Sequence, residues 1–280
     1  MNAWDGGRSQ KNKKIKVLWV INISYLYSYD PILSPIHFGL NRKTQKTISA
    51  LRSFKMKVMA FNGSPRKKEW NTITLLEQAL EGAASEGAET ELVQLYDLSF
   101  SGCISCFTCK KLDRKKDGVC AIQDNLTSVL SRVRDADALI LGTPVYLGAE
   151  SASMRAFMER LLYPYLKYSK DHSSLFPRRI NTAIIYTMNV PEEMLVQIGF
   201  DRHFDIMARM VGTLFGACEL LFSTDTLQYD DYDKYESAMF DKVAKAKRHA
   251  EVFPEDCKLA FSLGVRMASG KVPEPRPLFP

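Results

Sequence analysis

The chain contains 280 residues, of which 46% are apolar and 25% charged, so it has enough apolar material for one large core or two small ones. Its formal net charge of +6 is concentrated in residues 1–55, which hold ten Lys or Arg and two Asp or Glu. The remainder is close to neutral, which argues against nucleic acid as a partner of the main domain. No run of 18 apolar residues occurs, so a membrane-spanning helix is not predicted.

Residues 1–55 differ in character from the sequence that follows them. A basic stretch precedes an apolar one from Val17 to Tyr29, as in a signal peptide, but polar residues interrupt it and no small-residue cleavage site follows. Three interpretations stay open: a membrane-surface or targeting segment, a poorly ordered extension, and translated sequence upstream of a true start at Met56. We favour the third, because Met56 stands directly before a strand that can open the domain.

From Lys57 onward, buried strands and amphipathic helices alternate. The pattern predicts strands at 57–61, 90–95, 137–142, 181–188 and 218–222. It predicts helices at 73–85, 126–133, 151–166, 203–214 and 233–250. This alternation is typical of an α/β fold, here a three-layer sandwich whose five-stranded parallel sheet has the strand order 2-1-3-4-5. We therefore expect an N-terminal extension (1–55), an α/β domain (56–225) and a helical tail packed on that domain (226–280).

The first predicted strand ends in the turn Gly63-Ser64-Pro65-Arg66, which leads into a helix. Backbone N–H groups at a helix N-terminus attract anions, and glycine allows the backbone to come close to one. Ser64 offers a hydroxyl, Arg66 a planar charged fork suited to phosphate, and Asn71 and Thr72 further donors that also cap the helix. The glycine patterns of P-loop and dinucleotide sites are absent. The turn is therefore either a different anion site or an ordinary capped connection.

Four of the six cysteines fall within 18 positions, in the pattern Cys103-x2-Cys106-x2-Cys109-x10-Cys120. Thiolates at such spacing suit an iron–sulfur cluster or zinc. The chain is too long and too apolar to be a small disulfide scaffold. A 4Fe-4S cluster, zinc, and free or redox-active thiols all remain open.

The third predicted strand ends in the loop Thr143–Gly148, at the carboxyl edge of the sheet. In the predicted strand order this loop faces the Gly63 turn across the switch point, where ligands of such folds bind. Its backbone groups and the Tyr146 ring suit a flat polar heterocycle. The alternative is that Tyr146 is only a partly buried loop aromatic.

Together these stretches resemble the NADPH-dependent FMN reductase and iron–sulfur flavoprotein group of the flavodoxin-like superfamily. The resemblance covers about residues 56–225 and rests on four stretches in order: 61–66, 71–72, 102–109 and 143–148. It implies FMN, with the 5′-phosphate held by Ser64, Arg66, Asn71 and Thr72. It also implies that the flavin ring is bound by Pro144, Val145, Tyr146, Leu147, Gly148 and, from the loop after the fourth strand, Asn189.

The same resemblance implies an oxidoreductase in which NAD(P)H gives hydride to the flavin and a quinone, flavin, metal ion or protein accepts the electrons. No catalytic side chain is implied, since the flavin performs the chemistry. The rival hypotheses are an iron–sulfur flavoprotein that carries electrons without small-molecule turnover and a cysteine-based redox sensor. We expect a cytoplasmic homodimer or homotetramer that binds neither nucleic acid nor membrane.

Two departures from the family pattern bear on these expectations. By the resemblance, a 4Fe-4S cluster would be held by Cys103, Cys106, Cys109 and Cys120, but the last gap is longer than is usual in the family. The stretch 67–70 is large and charged where small residues are common. Trp70 is therefore expected to pack over the turn Gly63–Arg66 (the phosphate turn) or against a second subunit.

Overall fold

A parallel β-sheet, covered by helices on both faces, forms the centre of the protein. The computed structural model describes residues 55–114, 117–170 and 173–273, so the predictions for residues 1–54 lie outside the described residues. The strands are β1 (Lys57–Asn62), β2 (Glu89–Gln94), β3 (Ala138–Tyr146), β4 (Ala149–Glu150), β5 (Ile180–Thr187) and β6 (Gly216–Ser223).

The strand order confirms the prediction. Five parallel strands follow one another as β2-β1-β3-β5-β6, which is the order 2-1-3-4-5 once the two-residue β4 is set aside. The unpredicted β4 pairs antiparallel with the end of β3, Val145 opposite Glu150. This hairpin extends the β3 loop beyond the sheet edge.

The described residues contain six α-helices, distributed over the two faces of the sheet. They are α1 (Asn71–Ser85), α2 (Asn125–Val133), α3 (Ala152–Tyr165), α4 (Phe200–Phe215), α5 (Lys242–Glu251) and α6 (Phe253–Met267). In none of the ranges that the structure covers is a helix both long and apolar enough to cross a lipid bilayer.

Two apolar clusters, one on each face of the sheet, hold the three layers together. Met59 and Phe61 of β1 point into one cluster with α2, α3 and α4. Val58 and Ala60 point into the other, with α1 and α6. Successive side chains of a strand face opposite sides of a sheet, so a strand covered on both sides must be apolar throughout. This is why β1 appears in the sequence as a continuous apolar run.

The C-terminal part differs from the single helix predicted at 233–250. A short 3₁₀ helix (Tyr232–Lys234) is followed by α5 and then by α6, which was not predicted. α6 packs on α1 with backbones nearly touching, because a Cβ added at Gly264 would lie 1.7 Å from the Ala79 carbonyl oxygen. α6 is therefore part of the second helical layer. The domain boundary at residue 225 stays a prediction.

Candidate active site

An open cleft lies at the carboxyl edge of the sheet, where the loops after β1, β3, β5 and β6 meet. The phosphate turn is fixed there by Gly63 N, which donates to Gly142 O at 2.8 Å. Ser64 N donates to Asn62 Oδ1 at 2.9 Å, and Arg66 N donates to Ser64 Oγ at 3.2 Å. Eight of the ten predicted cofactor residues line this cleft: Ser64, Arg66, Asn71, Thr72, Pro144, Val145, Tyr146 and Asn189.

The N-terminus of α1 is not capped as predicted. Its cap position is Trp70, which makes no side-chain capping bond. Asn71 is the first helical residue, and its amide donates instead to Leu227 O at 2.8 Å. The Thr72 hydroxyl pairs with the Thr187 hydroxyl at 2.7 Å. The first turn also has no acidic residue, so the positive end of the helix dipole is left open to an external anion.

Arg66 is held at the mouth of the turn by two contacts. Its guanidinium lies 3.9 Å from the centroid of the Trp70 ring, and its Nη1 donates to Gln228 O at 2.7 Å. Trp70 therefore packs over the phosphate turn, which is one of the two placements predicted. When an arginine stacks on an aromatic ring, its unused N–H groups point outward in the plane of the guanidinium. In that direction they can donate to a phosphate.

Gly63 also lies in close contact with the start of α3. A Cβ at this position would lie 2.7 Å from Met154 Cβ and 3.1 Å from Ser151 Oγ, at the start of α3. The Ser151 hydroxyl donates to Gly63 O at 2.5 Å. The glycine is therefore required for the close packing of the turn on α3.

The ring side of the cleft is formed by the end of β3. Pro144, Val145 and Tyr146 line it, and the Tyr146 side chain is 46% exposed. Partial burial raises the pKa of Tyr146. Leu147 and Gly148 have φ angles of 51° and 85° and form the β3–β4 turn. Neither lines the cleft, so their contact with a flavin ring stays a prediction.

Sequence reasoning missed the segment Thr226–Gln228, which closes the cleft on the side of β6. Its carbonyl groups accept the bonds from Asn71 and Arg66 described above. The available signal was its position: it follows β6 at the same edge of the sheet at which the other site loops lie.

A second unpredicted group is a buried acid in β4, Glu150. The Glu150 carboxylate accepts a hydrogen bond from the Tyr186 hydroxyl at 2.6 Å and lies 3.2 Å from His203 Nε2. Burial and the Glu150 charge both raise the pKa of Tyr186. His203 is not among the residues that line the cleft.

The four clustered cysteines line one small cavity, together with Phe107, Glu159, Arg160 and Tyr163. Ser105 and Phe107 both have φ of 53°, in the left-handed region, so the segment between the first three cysteines winds tightly. Cys120 is buried and Cys106 exposed. Within the described ranges, no group of three or more His, Cys, Asp or Glu is arranged to hold a single metal ion.

Arg160 of α3 ties both ends of the cysteine segment to the domain. Its side chain is fully buried, and its Nε donates to Cys120 Sγ at 3.0 Å. Its Nη groups donate to Ser101 O and Ile122 O at 3.0 and 3.2 Å and to the Asp124 carboxylate at 2.7 and 3.2 Å. All five N–H groups of the guanidinium are used. One side chain therefore fixes the chain before Cys103 and after Cys120.

The thiols sit in different electrostatic environments. Burial raises the pKa of Cys109, and the neighbouring Cys120 and Cys103 act in the same direction, against Lys110. Hydrogen bonds from Thr108 lower the pKa of Cys106. Ionisation is therefore favoured at the exposed thiol and opposed at Cys109.

A doubly wound parallel sheet, with a cleft at its switch point beside the turn that follows its first strand, defines the flavodoxin-like class of α/β proteins. Residues 56–183 match the family model of the NADPH-dependent FMN reductases. The resemblance stated from the sequence is thereby confirmed.

Similar proteins of known identity include archaeal iron–sulfur flavoproteins. One from Methanocaldococcus jannaschii is 42% identical over 105 residues, covering 38% of this chain and 51% of that protein. Another, from Methanosarcina thermophila, is 32% identical over 105 residues, covering 38% and 52%. The chain thus spans about half the length of the curated relatives it matches.

Solved structures share the fold at low sequence identity. The NAD(P)H:quinone oxidoreductase of Methanothermobacter marburgensis has a TM-score of 0.58 at 15% identity and covers 76% of this chain and 98% of its own. An FMN-dependent NADH-azoreductase from Bacillus anthracis, solved with FMN, has a TM-score of 0.53 at 12% identity, with coverages of 77% and 100%. At these identities the likeness concerns the fold alone.

Proposed function

We propose that the protein is an FMN-dependent oxidoreductase that takes hydride from NAD(P)H and passes electrons to a quinone, flavin, metal ion or protein acceptor. The observation that carries this proposal is the cleft. It gathers Ser64, Arg66, Asn71 and Thr72 around the uncapped N-terminus of α1. The family match at residues 56–183 supports it.

The donors of the cleft fit the phosphate of FMN. The phosphate would meet two hydroxyls, one amide, one guanidinium and the free N–H groups of the first helical turn. The opposite wall offers the apolar surfaces of Pro144 and Val145 and the ring of Tyr146, and the loop after β5 adds the amide of Asn189. A flat heterocycle with polar edges matches that wall.

Bound FMN would supply the hydride-accepting and electron-donating chemistry. The chain itself contributes binding and orientation. Arg66 is kept from swinging away by Trp70 and Gln228, so its charge is already placed before the phosphate arrives. Such preorganisation reduces the entropy lost on binding. The proposal requires no acid or base among the side chains.

The proposal is tested by titrating the purified protein with FMN and with riboflavin, which lacks the phosphate. Arg66→Met should raise the FMN dissociation constant by about tenfold or more, with little effect on riboflavin, because only the charge-assisted phosphate contact is lost. Lys67→Met is the matched control, since Lys67 is half-exposed and pairs with Asp97. Reduction of the bound flavin by NAD(P)H, followed by turnover with a quinone, tests the reaction.

Three outcomes would contradict the proposal. A wild-type protein that binds no FMN removes it entirely. Equal losses of FMN and riboflavin affinity in Arg66→Met would mean that Arg66 does not bind the phosphate. Flavin binding without any NAD(P)H turnover would favour an electron carrier over an enzyme.

The cysteine cavity favours a second candidate, an iron–sulfur flavoprotein that carries electrons. The four thiols around one cavity have the number and chemistry that a 4Fe-4S cluster takes. We propose Cys103, Cys106, Cys109 and Cys120 as its ligands. Anaerobic purification with iron and sulfide analysis tests this: about four irons per chain are expected for such a cluster. A flavin spectrum without iron would remove the cluster, and zinc alone would identify a structural site.

Exposed apolar side chains support the expected homo-oligomer. Leu147, which follows the cleft residue Tyr146, is fully exposed, and Val196 and Ile198 are 57% and 42% exposed. Exposed apolar side chains of this size are candidates for a subunit contact. We propose a homodimer or homotetramer, to be tested by light scattering of the wild-type protein and of Leu147→Ser. A monomeric wild type would contradict it.

A further inference from the structure

Helix α5 is attached to the protein by a charged side chain rather than by an apolar face. Of its ten residues, Lys245 alone is buried, with 5% of its surface exposed. Placing an ammonium in the interior is costly unless fixed acceptors surround it. Beside the ion pair between Arg248 and Asp256, the groups that Lys245 contacts therefore fix the position of α5.

All three donors of the Lys245 ammonium reach loops of the candidate active site. Its Nζ donates to Asn189 O at 3.0 Å and also contacts Asn189 Oδ1 and Asp225 Oδ1. Asn189 lines the cleft itself, and Asp225 directly precedes the lining segment Thr226–Gln228. Asp225 has φ of 51°, and its N–H donates to Val190 O at 3.0 Å. The lysine thus joins the loop after β5 to the loop after β6.

Hydrogen bonds continue from these loops to the phosphate turn. Thr226 donates to Met188 O from its backbone N–H at 3.0 Å and from its hydroxyl at 3.1 Å. The carbonyl oxygens of the next two residues accept from Asn71 and Arg66 at 2.8 and 2.7 Å. An unbroken series of bonds therefore runs from Lys245 to two proposed phosphate ligands.

We propose that Lys245 is a positioning residue of the FMN site, holding the Asn189 and Thr226–Gln228 walls at the distance the cofactor requires. The inference rests on the proposed function, because it assumes that FMN occupies the cleft. Lys245 does not line the cleft, so it acts through the loops. It also lies beyond residues 56–183, outside the part matched to the family model.

The test compares Lys245→Met with Lys247→Met in the full chain. Both variants remove one lysine charge from α5, but the Lys247 side chain is 70% exposed and pairs only with the surface residue Glu251 among its ionic contacts in the described chain. FMN affinity is measured by flavin fluorescence, at a temperature at which both variants are folded. Lys245→Met should raise the dissociation constant by about tenfold or more, while Lys247→Met stays within about twofold of wild type.

A second readout separates positioning from general stability. The midpoint potential of the bound flavin should shift in Lys245→Met and not in Lys247→Met, because Asn189 moves relative to the ring. If Lys245→Met does not fold, Asp225→Asn replaces it, and it too should weaken FMN binding.

The outcomes distinguish this inference from the proposed function. If Lys245→Met has the same FMN affinity and flavin potential as wild type, the positioning role is overturned and the proposed function is not. If Lys245→Met does not fold, the same comparison is made with Asp225→Asn. A wild-type chain that binds no FMN would overturn the proposed function, and the positioning role with it.

Discussion

Buried polar side chains with all their donors or acceptors satisfied determine the local geometry of this protein. Arg160 uses five N–H groups, Lys245 uses three, and the Glu150 carboxylate is shared by Tyr186 and His203. The energetic weight of such groups lies in the penalty for leaving a partner unsatisfied, which exceeds the net gain from forming the bond. Single substitutions at these positions are therefore expected to have measurable effects.

Tyr186→Phe should lower the free energy of unfolding by about 1–3 kcal/mol, because it leaves the buried Glu150 carboxylate without its shortest hydrogen bond. Urea denaturation measures the change. Tyr235→Phe is the control, since Tyr235 is half-exposed and the same atom is removed. Equal denaturation midpoints for the two variants would mean that the hydroxyl bond contributes nothing to stability.

The lowered pKa of Asp124 predicts that the stability of the protein depends on pH. Burial alone would raise its pKa, but the bonds from Arg160 and from the Leu126 N–H lower it below the usual value. A carboxyl whose pKa is depressed in the folded state stabilises above its unfolded pKa of about 4, and this contribution is lost as the pH falls through the folded value.

Asp124→Asn should therefore be less stable than wild type above about pH 5, and the difference should shrink as the pH falls below about 4. Asparagine keeps the oxygen that caps α2, but its NH2 group replaces the oxygen that accepts from Arg160 Nη1, so the variant removes the charge together with that acceptor. Chemical denaturation at pH 7, 5 and 3 measures the difference. A gap that does not change with pH would exclude the ion pair as its cause.

Residue types and spacing predicted which residues line the cleft better than they predicted the hydrogen bonds that hold those residues in place. Ser64, Arg66, Asn71 and Thr72 were identified because strand, turn and helix signals are local, and the structure brings them into one cleft. The roles of Lys245 and Arg160 were not foreseeable. Their partners are distant in sequence, and neither residue belongs to a motif.

At the scale of elements, the contact between α1 and α6 is the largest feature missed from the sequence. Pro254 and the charged residues near it hide the start of α6, although its buried positions Phe253, Ala260, Leu263 and Met267 recur at helical spacing. The sheet was predictable, because each strand is a local apolar run. The contact between α1 and α6, which are far apart in the sequence, requires a glycine at position 264. The sequence alone does not show why that residue must be glycine.

Gly264→Ala should destabilise the protein by about 2 kcal/mol or more, although alanine favours a helix by about 1 kcal/mol. The added Cβ would lie 1.7 Å from the Ala79 carbonyl oxygen, so the helices must separate along their contact. Thermal unfolding monitored by circular dichroism measures the effect. Ser262→Ala, at an exposed position of the same helix, should change little. Similar melting temperatures for both variants would argue against the tight contact.

At the scale of the whole molecule, we expect residues 56–280 to contain everything needed to fold and bind FMN. A chain that begins at Met56 should match the full chain in melting temperature and FMN affinity, since β1 opens the sheet at Lys57. Calorimetry and fluorescence titration provide the comparison. A clear loss of either property would show that the N-terminal residues contribute to the domain.

The α1–α6 contact also determines when, during synthesis, the protein can complete its folding. α1 ends at residue 85 and α6 begins at residue 253, so a nascent chain must wait for most of its length before α1 can cover its apolar face. Contacts between such distant segments slow folding and leave apolar surface exposed meanwhile. The walls held by Lys245 also come from late in the chain. We therefore expect this protein to take up its cofactor only after synthesis is complete, and to depend on chaperones until then.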